Sequence, residues 1–230
     1  LARFRPWRPR ISVRMGAMLV RLMSVMAVVG ALGCAPTPTA AADPCADVDL
    51  VFARGTAEPP GLGRVGDALS STLAPMLGGR SLSTYAVNYP AGYNFLTTGW
   101  GADDARGHIA WMADNCPGTR IVLGGFSQGS SVVSMLAGVP PVGQRIGSIG
   151  SAPALDPALA GRVSAVAVFG NPGNRFGSAL SSTGQFAGRA IDLCSPGDPI
   201  CGAGLNRSAH SNYELPPYPG QAASFITGRV

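Results

Sequence analysis

The sequence predicts an α/β fold: a three-layer α/β/α sandwich around a central, mainly parallel five-stranded sheet. Two observations carry this. Short apolar runs of strand length alternate with longer segments whose apolar residues recur at helical spacing, the order that builds a parallel sheet covered by helices. One of those runs, Val163 to Phe169, is almost continuously apolar, as a strand covered on both faces must be. The 230 residues, 46% of them hydrophobic, suffice for one such domain and a processing segment.

Taken in order, Asp47 to Ala53 is the first strand, ended by Arg54-Gly55-Thr56. Val65, Leu69, Leu73 and Met76-Leu77 recur at helical spacing and make Val65 to Leu77 an amphipathic helix. Leu82 to Val87 is a second strand, stopped at Tyr89-Pro90, and residues 90–99 form a loop. Asp103-Asp104 open a helix that runs to Asn115 with Ile109 and Met112 on its apolar face. Arg120 to Gly124 is the third strand and Ser127 to Gly138 the helix after it. The stretch from Val139 to Pro157 is rich in Gly and Pro, with a short piece of structure expected over Arg145 to Ile149. Asp156-Pro157 fits an N-cap followed by proline at the first helical position. Val163 to Phe169 and Arg189 to Leu193 are the fourth and fifth strands, separated by a polar loop, and Gln221 to Arg229 is a last helix.

The net charge of +5 is misleading as to partners. Arg3, Arg5, Arg8, Arg10, Arg14 and Arg21 all precede residue 22, leaving 11 Arg against all 12 acidic residues from Asp43 onward, a net of −1. Nucleic-acid binding is therefore not expected. The basic start, the apolar run Leu22 to Leu32 and the small residues Ala40-Ala41-Ala42 describe a secretory signal peptide, cleaved before Asp43. Residues 1–42 are thus the expected leader and 43–230 the folded domain. The apolar run is too short to span a bilayer. Met15 and Met18 are both candidate translation starts. Gly33-Cys34 resembles a lipoprotein attachment site, but Ala31 and Leu32 fit the preceding pattern poorly.

Cys34 falls in the leader, and four cysteines remain: Cys45, Cys116, Cys194 and Cys201. An even number in an exported chain implies disulfides, with three pairings open. Proximity favours Cys194 with Cys201, which leaves Cys45 with Cys116. No His or Cys spacing suggests a metal site.

Gly125-Phe126-Ser127-Gln128-Gly129 fits G-x-S-x-G, placed between an apolar run and a helix. A serine hydroxyl becomes a nucleophile only when its oxygen is exposed beside a base. A strand-to-helix turn tight enough to expose it needs small residues two positions away on each side. The following N–H, that of Gln128, then points where an oxyanion would form. A second donor is expected from the loop after the first strand, at Thr56, with Gly55 permitting close approach.

The serine needs a base and a group to orient it. His108 lies inside a helix and reads as an ordinary helix residue. His210 lies in a polar loop past the last strand, in the chain order Ser, acid, His that this motif carries. Asp156, Asp192 and Asp198 lie between Ser127 and His210. Asp156 is better explained as a cap, and Asp192 lies within a strand whose alternation could point it either way. Asp198 lies between Cys194 and Cys201, where a short disulfide loop would fix its carboxylate.

These motifs together resemble the cutinases and cutinase-like serine esterases of the α/β-hydrolase fold. The resemblance spans about residues 43–230. It rests on Cys45, on Ala53-Arg54-Gly55-Thr56, on Cys116-Pro117, on Gly124 to Gly129, and on the Cys194, Asp198, Cys201 loop followed by His210. It implies Ser127 as nucleophile, Asp198 as acid, His210 as base, Thr56 and Gln128 as oxyanion donors, and the pairings Cys45–Cys116 and Cys194–Cys201. It further implies a lidless esterase without cofactor; with the leader and the spacing above, a secreted monomer without metal is expected. The substrate would be a small-molecule or lipid ester, met in transient contact with a lipid or cell-envelope surface. Tyr93, Phe95 and Leu205 are candidate substrate contacts. Asn206-Arg207 depart from the apolar rim of plant-polymer cutinases and favour soluble or dispersed esters. The same triad serves acetylxylan-type esterases, lipases or phospholipases, and thioesterases. A non-catalytic secreted binding or antigenic protein on a hydrolase scaffold is the reading outside enzymes.

Overall fold

A computed structural model describes residues 45–140 and 149–230. The leader, its cleavage site and most of the expected piece of structure at 145–149 lie outside these residues. The described elements are β1 (Val48–Ala53), α1 (Gly63–Met76), β2 (Leu82–Ala86), α2 (Thr98–Asn115), β3 (Arg120–Phe126), α3 (Gln128–Leu136), α4 (Pro157–Ala160), β4 (Val163–Phe169), β5 (Ala190–Leu193) and α5 (Tyr218–Thr227). Five strands form one sheet in the order β2-β1-β3-β4-β5, and every pairing is parallel. The expected three-layer architecture is what the chain adopts.

Side chains alternate across a strand, so each central strand feeds two cores. Val51, Leu123, Val166 and Val168 pack with Ile109 of α2 and Val132 of α3 on one face. Leu50, Phe52, Val122, Ala167 and Phe169 pack with Leu69 and Leu73 of α1 and Ala222 and Ile226 of α5 on the other. An all-parallel sheet also places every loop that follows a strand along one edge. Thr56, Ser127 and the loop carrying Asp198 follow β1, β3 and β5 respectively, so topology alone brings them to the same edge.

Two helices start earlier than their sequence patterns suggest. α2 begins at Thr98, not Asp103, after a 3-10 turn at Phe95–Thr97. Gly99 and Gly101 obscure its first turn to a reading based on apolar spacing, yet both are buried there. α5 begins at Tyr218 with proline in its first turn. Asp156 does cap, accepting the Ala158 N–H at 2.8 Å, though the helix it opens is one turn long. His108 is more than an ordinary helix residue. Its Nε2 lies 2.8 Å from the buried Asp49 carboxylate on β1, and its ring stacks on Tyr85 at 3.7 Å. Ser83 donates to the other Asp49 oxygen at 2.5 Å. That group of residues joins α2 to the first two strands.

Both disulfides form as expected, Cys45–Cys116 and Cys194–Cys201. The first closes 71 residues of chain. Replacing Cys45 and Cys116 together by serine is expected to lower unfolding stability by about 4 kcal/mol through restored unfolded-state entropy. Equilibrium urea denaturation of the pure double variant measures this, and an unchanged midpoint would contradict it.

Candidate active site

The turn between β3 and α3 holds Ser127 at φ 53°, ψ −111°, a backbone conformation that L residues rarely adopt. Neighbouring glycines permit it. A Cβ on Gly129 would stand 1.9 Å from the Ala53 carbonyl oxygen, and one on Gly125 would stand 2.4 Å from the Gly129 oxygen. The helix start is therefore pressed against the end of β1, where no side chain fits. The turn is anchored to β4: Ser127 N–H donates to Phe169 O at 2.9 Å, and the buried Ser130 hydroxyl lies 2.9 Å from Gly125 O and 3.1 Å from Phe169 O.

His210 reaches Ser127 from a 3-10 turn, Arg207–Ser211, which the Asn206 side chain caps by accepting from Ser208 N–H at 3.1 Å. Its Nε2 lies 2.8 Å from Ser127 Oγ and its Nδ1 2.7 Å from Asp198 Oδ2. The ring sits where a Cβ on Gly170, at the end of β4, would approach Cε1 within 2.7 Å. Asp198 is wholly buried. Its Oδ1 accepts N–H bonds from Ile200 at 2.6 Å and Cys201 at 3.4 Å, so the disulfide loop itself solvates the carboxylate. Burial pushes its pKa up, but the bonds from His210, Tyr213 and the Ile200 N–H outweigh this and hold it below the ordinary carboxylate value. The hydroxyl of Tyr213 donates to Asp198 Oδ2 at 2.6 Å. With Asp198 ionised, Nδ1 carries the imidazole proton and Nε2 is free to accept the serine proton.

Gln128 is the first residue of α3, where a backbone N–H has no acceptor within the helix. Thr56 meets it from the β1 loop, its hydroxyl donating to Gln128 Oε1 at 3.0 Å. Gln128 Nε2 donates to Thr98 Oγ1 at 2.9 Å, and Thr98 in turn donates to Phe95 O at 2.7 Å. This chain orients the Gln128 amide. The β1 loop is also gripped from behind. The buried Arg54 guanidinium donates to Glu58 O at 2.9 Å and Tyr89 O at 2.7 Å. Glu58 Oε2 accepts from Gly55 N–H at 2.6 Å, and Glu58 Oε1 lies 3.2 Å from Arg64 Nε. Arg64 continues to Ser211 O at 2.6 Å and Glu214 at 3.0 Å, so one ionic network spans the loops on either side of Ser127.

The structure brings Ser127, His210, Asp198, Thr56 and Gln128 together. Asp192 is turned away: its carboxylate accepts from Asn171 Nδ2 at 2.9 Å and Ser181 N–H at 2.7 Å. Tyr93 and Phe95 stand exposed on the loop after β2, and Leu205, 95% exposed, on the loop before His210. Since β2 lies on one side of β3 and β5 on the other, the two loops leave the sheet on opposite sides of the strand that ends at Ser127. Among the described residues, no group of His, Cys, Asp and Glu could hold a metal ion. Sequence reasoning missed Tyr213, Thr98 and the side-chain role of Gln128. Tyr213 follows His210 by three residues, and that spacing was the one available signal.

The cutinase family model matches residues 44–230. The chain belongs to the cutinase family. This cutinase-family chain is 47% identical over 229 residues to the probable carboxylesterase Culp3 of Mycobacterium tuberculosis, covering 98% of this chain and 85% of that protein. It is 40% identical over 225 residues to the phospholipase Culp4 of the same organism, covering 97% and 95%. Among solved structures, Trichoderma reesei cutinase in complex with a phosphonate inhibitor superposes with a TM-score of 0.62 at 30% identity, over 81% of this chain and 77% of that one.

Two outcomes are expected for this cutinase-family site. Gly129→Ala forces α3 off β1. It should cost about 1–3 kcal/mol of stability and a large part of the reactivity of Ser127 toward a fluorophosphonate; labelling at the wild-type rate would contradict it. Asp198 has a folded-state pKa below its unfolded value of 3.8, so it contributes stability above that value and loses it as pH falls through the lower folded one. Melting temperatures followed downward from about pH 5 should therefore fall more steeply for wild type than for Asp198→Asn.

Proposed function

We propose that this cutinase-family protein is a secreted serine esterase that hydrolyses carboxylic esters of short to medium acyl chain through an acyl-enzyme on Ser127. The observation that carries this reading is the unbroken relay from Ser127 Oγ to His210 at 2.8 Å and from His210 to the buried Asp198 at 2.7 Å. The carboxylesterase and phospholipase names of its relatives support ester chemistry. Secretion is supported by two disulfides, which persist in oxidising compartments, and by the leader composition. Among the described residues no helix is long and apolar enough to cross a membrane.

In this reading His210 Nε2 takes the Ser127 proton as Oγ attacks the ester carbonyl. The N–H groups of Thr56 and Gln128 hold the tetrahedral oxyanion, each contributing about 3 kcal/mol to lowering the barrier. The C–O bond to the alcohol breaks, and His210 returns its proton to the departing oxygen. Water, deprotonated by the same imidazole, attacks the acyl-enzyme, and the proton passes back to Ser127 as the carboxylic acid leaves. Asp198 holds Nδ1–H and stabilises the imidazolium in both halves.

Lipid esters are a second reading, favoured by the exposed Tyr93, Leu96, Trp100 and Leu205. Large apolar side chains left exposed close together in the chain, as Tyr93, Leu96 and Trp100 are, suit contact with a ligand or a lipid surface.

Ser127→Ala is expected to reduce turnover of p-nitrophenyl butyrate and octanoate by at least about a thousandfold, with folding and disulfides intact. Turnover at the wild-type rate would remove the assignment. Comparing dissolved butyrate with dispersed triacylglycerol and phospholipid substrates separates the two readings. A jump in rate once the substrate forms an interface supports the lipid reading.

A further inference from the structure

Tyr213 takes no part in the steps above, yet its side chain is wholly buried and its hydroxyl touches the acid of the relay. Its ring meets the His210 ring edge-on, with centroids 6.0 Å apart, and packs against Phe126 at 5.7 Å and Tyr218 at 4.9 Å. Phenylalanine would satisfy that packing. What phenylalanine lacks is the hydroxyl, whose bonding is fully directed. The oxygen accepts the Ser195 N–H at 2.8 Å. Its single proton must then go elsewhere, and Asp198 Oδ2 stands at 2.6 Å. Cys201 Sγ, at 3.2 Å, belongs to a disulfide and has no proton to give, and it is a far weaker acceptor than a carboxylate. Asp198 Oδ2 thus receives two donors at once, the phenol and His210 Nδ1–H. Ser195 opens the loop that carries Asp198, so one hydroxyl ties the acid loop to the chain that carries the base.

We propose that Tyr213 is a positioning residue of the relay, acting through Asp198: by sharing Oδ2 with His210 it sets how strongly the carboxylate holds the imidazolium. The inference rests on the esterase reading of Ser127, His210 and Asp198. Two donors on one oxygen divide its charge. Without the phenol, Oδ2 turns its full charge on Nδ1–H, and the protonated imidazole is favoured. The base must be neutral to take the serine proton, so the acid limb of kcat/KM against pH reports the balance. Burial and the neighbouring carboxylate push the Tyr213 phenol far up, which keeps it a donor throughout the working range.

The test uses two variants that alter the hydroxyl with little change of shape. Tyr213→Phe is expected to lower kcat on p-nitrophenyl butyrate about tenfold, leave KM within about twofold, and move the acid limb up by about half a pH unit. Replacing Tyr213 by 3,5-difluorotyrosine gives a more acidic phenol and a stronger donor, and should move the limb down. A role in packing alone would lower the melting temperature and leave both limbs in place. Acid limbs that coincide with wild type, or move the opposite way, in variants with native near-ultraviolet circular dichroism overturn the inference. Should Tyr213→Phe not fold, the near-isosteric difluorotyrosine variant decides alone. Ser127→Ala is run alongside. Turnover in that variant overturns the esterase reading itself, whereas an inert Ser127→Ala with unmoved limbs overturns only the assignment of Tyr213.

Discussion

The contact between Gly129 and the end of β1 is the constraint the rest of the site obeys. Because no Cβ stands between the helix start and the Ala53 carbonyl, α3 can begin directly against the sheet. Ser127 must then turn the chain in a single residue, at a φ of 53°. Such a conformation costs roughly 1–3 kcal/mol and persists only where surroundings over-determine it. Here they do: the Ser127 N–H is bonded to β4, and the Ser130 side chain bonds both strands flanking the turn. The turn leaves the Ser127 hydroxyl 2.8 Å from His210 Nε2 and starts α3 at Gln128, whose N–H has no acceptor within the helix.

The second demand is the burial of Asp198, a charge with no solvent contact. An isolated buried carboxylate would take up a proton and could not orient a neutral imidazole. Four donors prevent this: two backbone N–H groups from its own disulfide loop, the imidazole, and the phenol of Tyr213. The Cys194–Cys201 bridge therefore does more than restrict the unfolded chain. It closes a loop tight enough to wrap its own N–H groups around one side chain.

The fold was legible because its signals are local and periodic. Val163 to Phe169 announces a doubly covered strand, and the glycines of the elbow announce close approach. The grouping of Ser127, His210 and Asp198 was legible because few candidates existed: two histidines, and three aspartates between Ser127 and His210. What escaped were partners defined only by the third dimension. The bond from Tyr213 to Asp198 crosses 15 positions, that from Gln128 to Thr98 crosses 30, and that from His108 to Asp49 crosses 59. A tyrosine bonded to a buried carboxylate and one that only fills a core look alike in sequence, because the hydroxyl's partner is invisible there. The start of α2 escaped for a related reason. Its first turn is buried through glycine and alanine, whose small size suits close packing but carries no amphipathic pattern.

Asn206 shows how the third dimension changes a chemical argument as well as a geometric one. In sequence, Asn206-Arg207 makes the rim beside Leu205 polar and counts against apolar substrates. In the fold, the Asn206 side-chain oxygen is turned back along the chain, accepting the Ser208 N–H at 3.1 Å and the Ser208 hydroxyl at 2.6 Å, while the Asn206 backbone N–H donates to Gly197 O at 2.9 Å. That oxygen is engaged in capping the turn that carries His210, although the residue as a whole stays exposed. The bonded oxygen is no longer a free acceptor, and Leu205 beside it is almost wholly exposed. The rim is therefore less polar than its sequence by one acceptor, with Leu205 exposed on the loop before His210 and Tyr93 and Phe95 exposed on the loop after β2. Arg207 opposes an acyl chain less than its charge suggests, because a long arginine stem can lie along apolar surface while its head stays in water. The objection to lipid-like acyl groups is thus weakened at both residues and removed at neither.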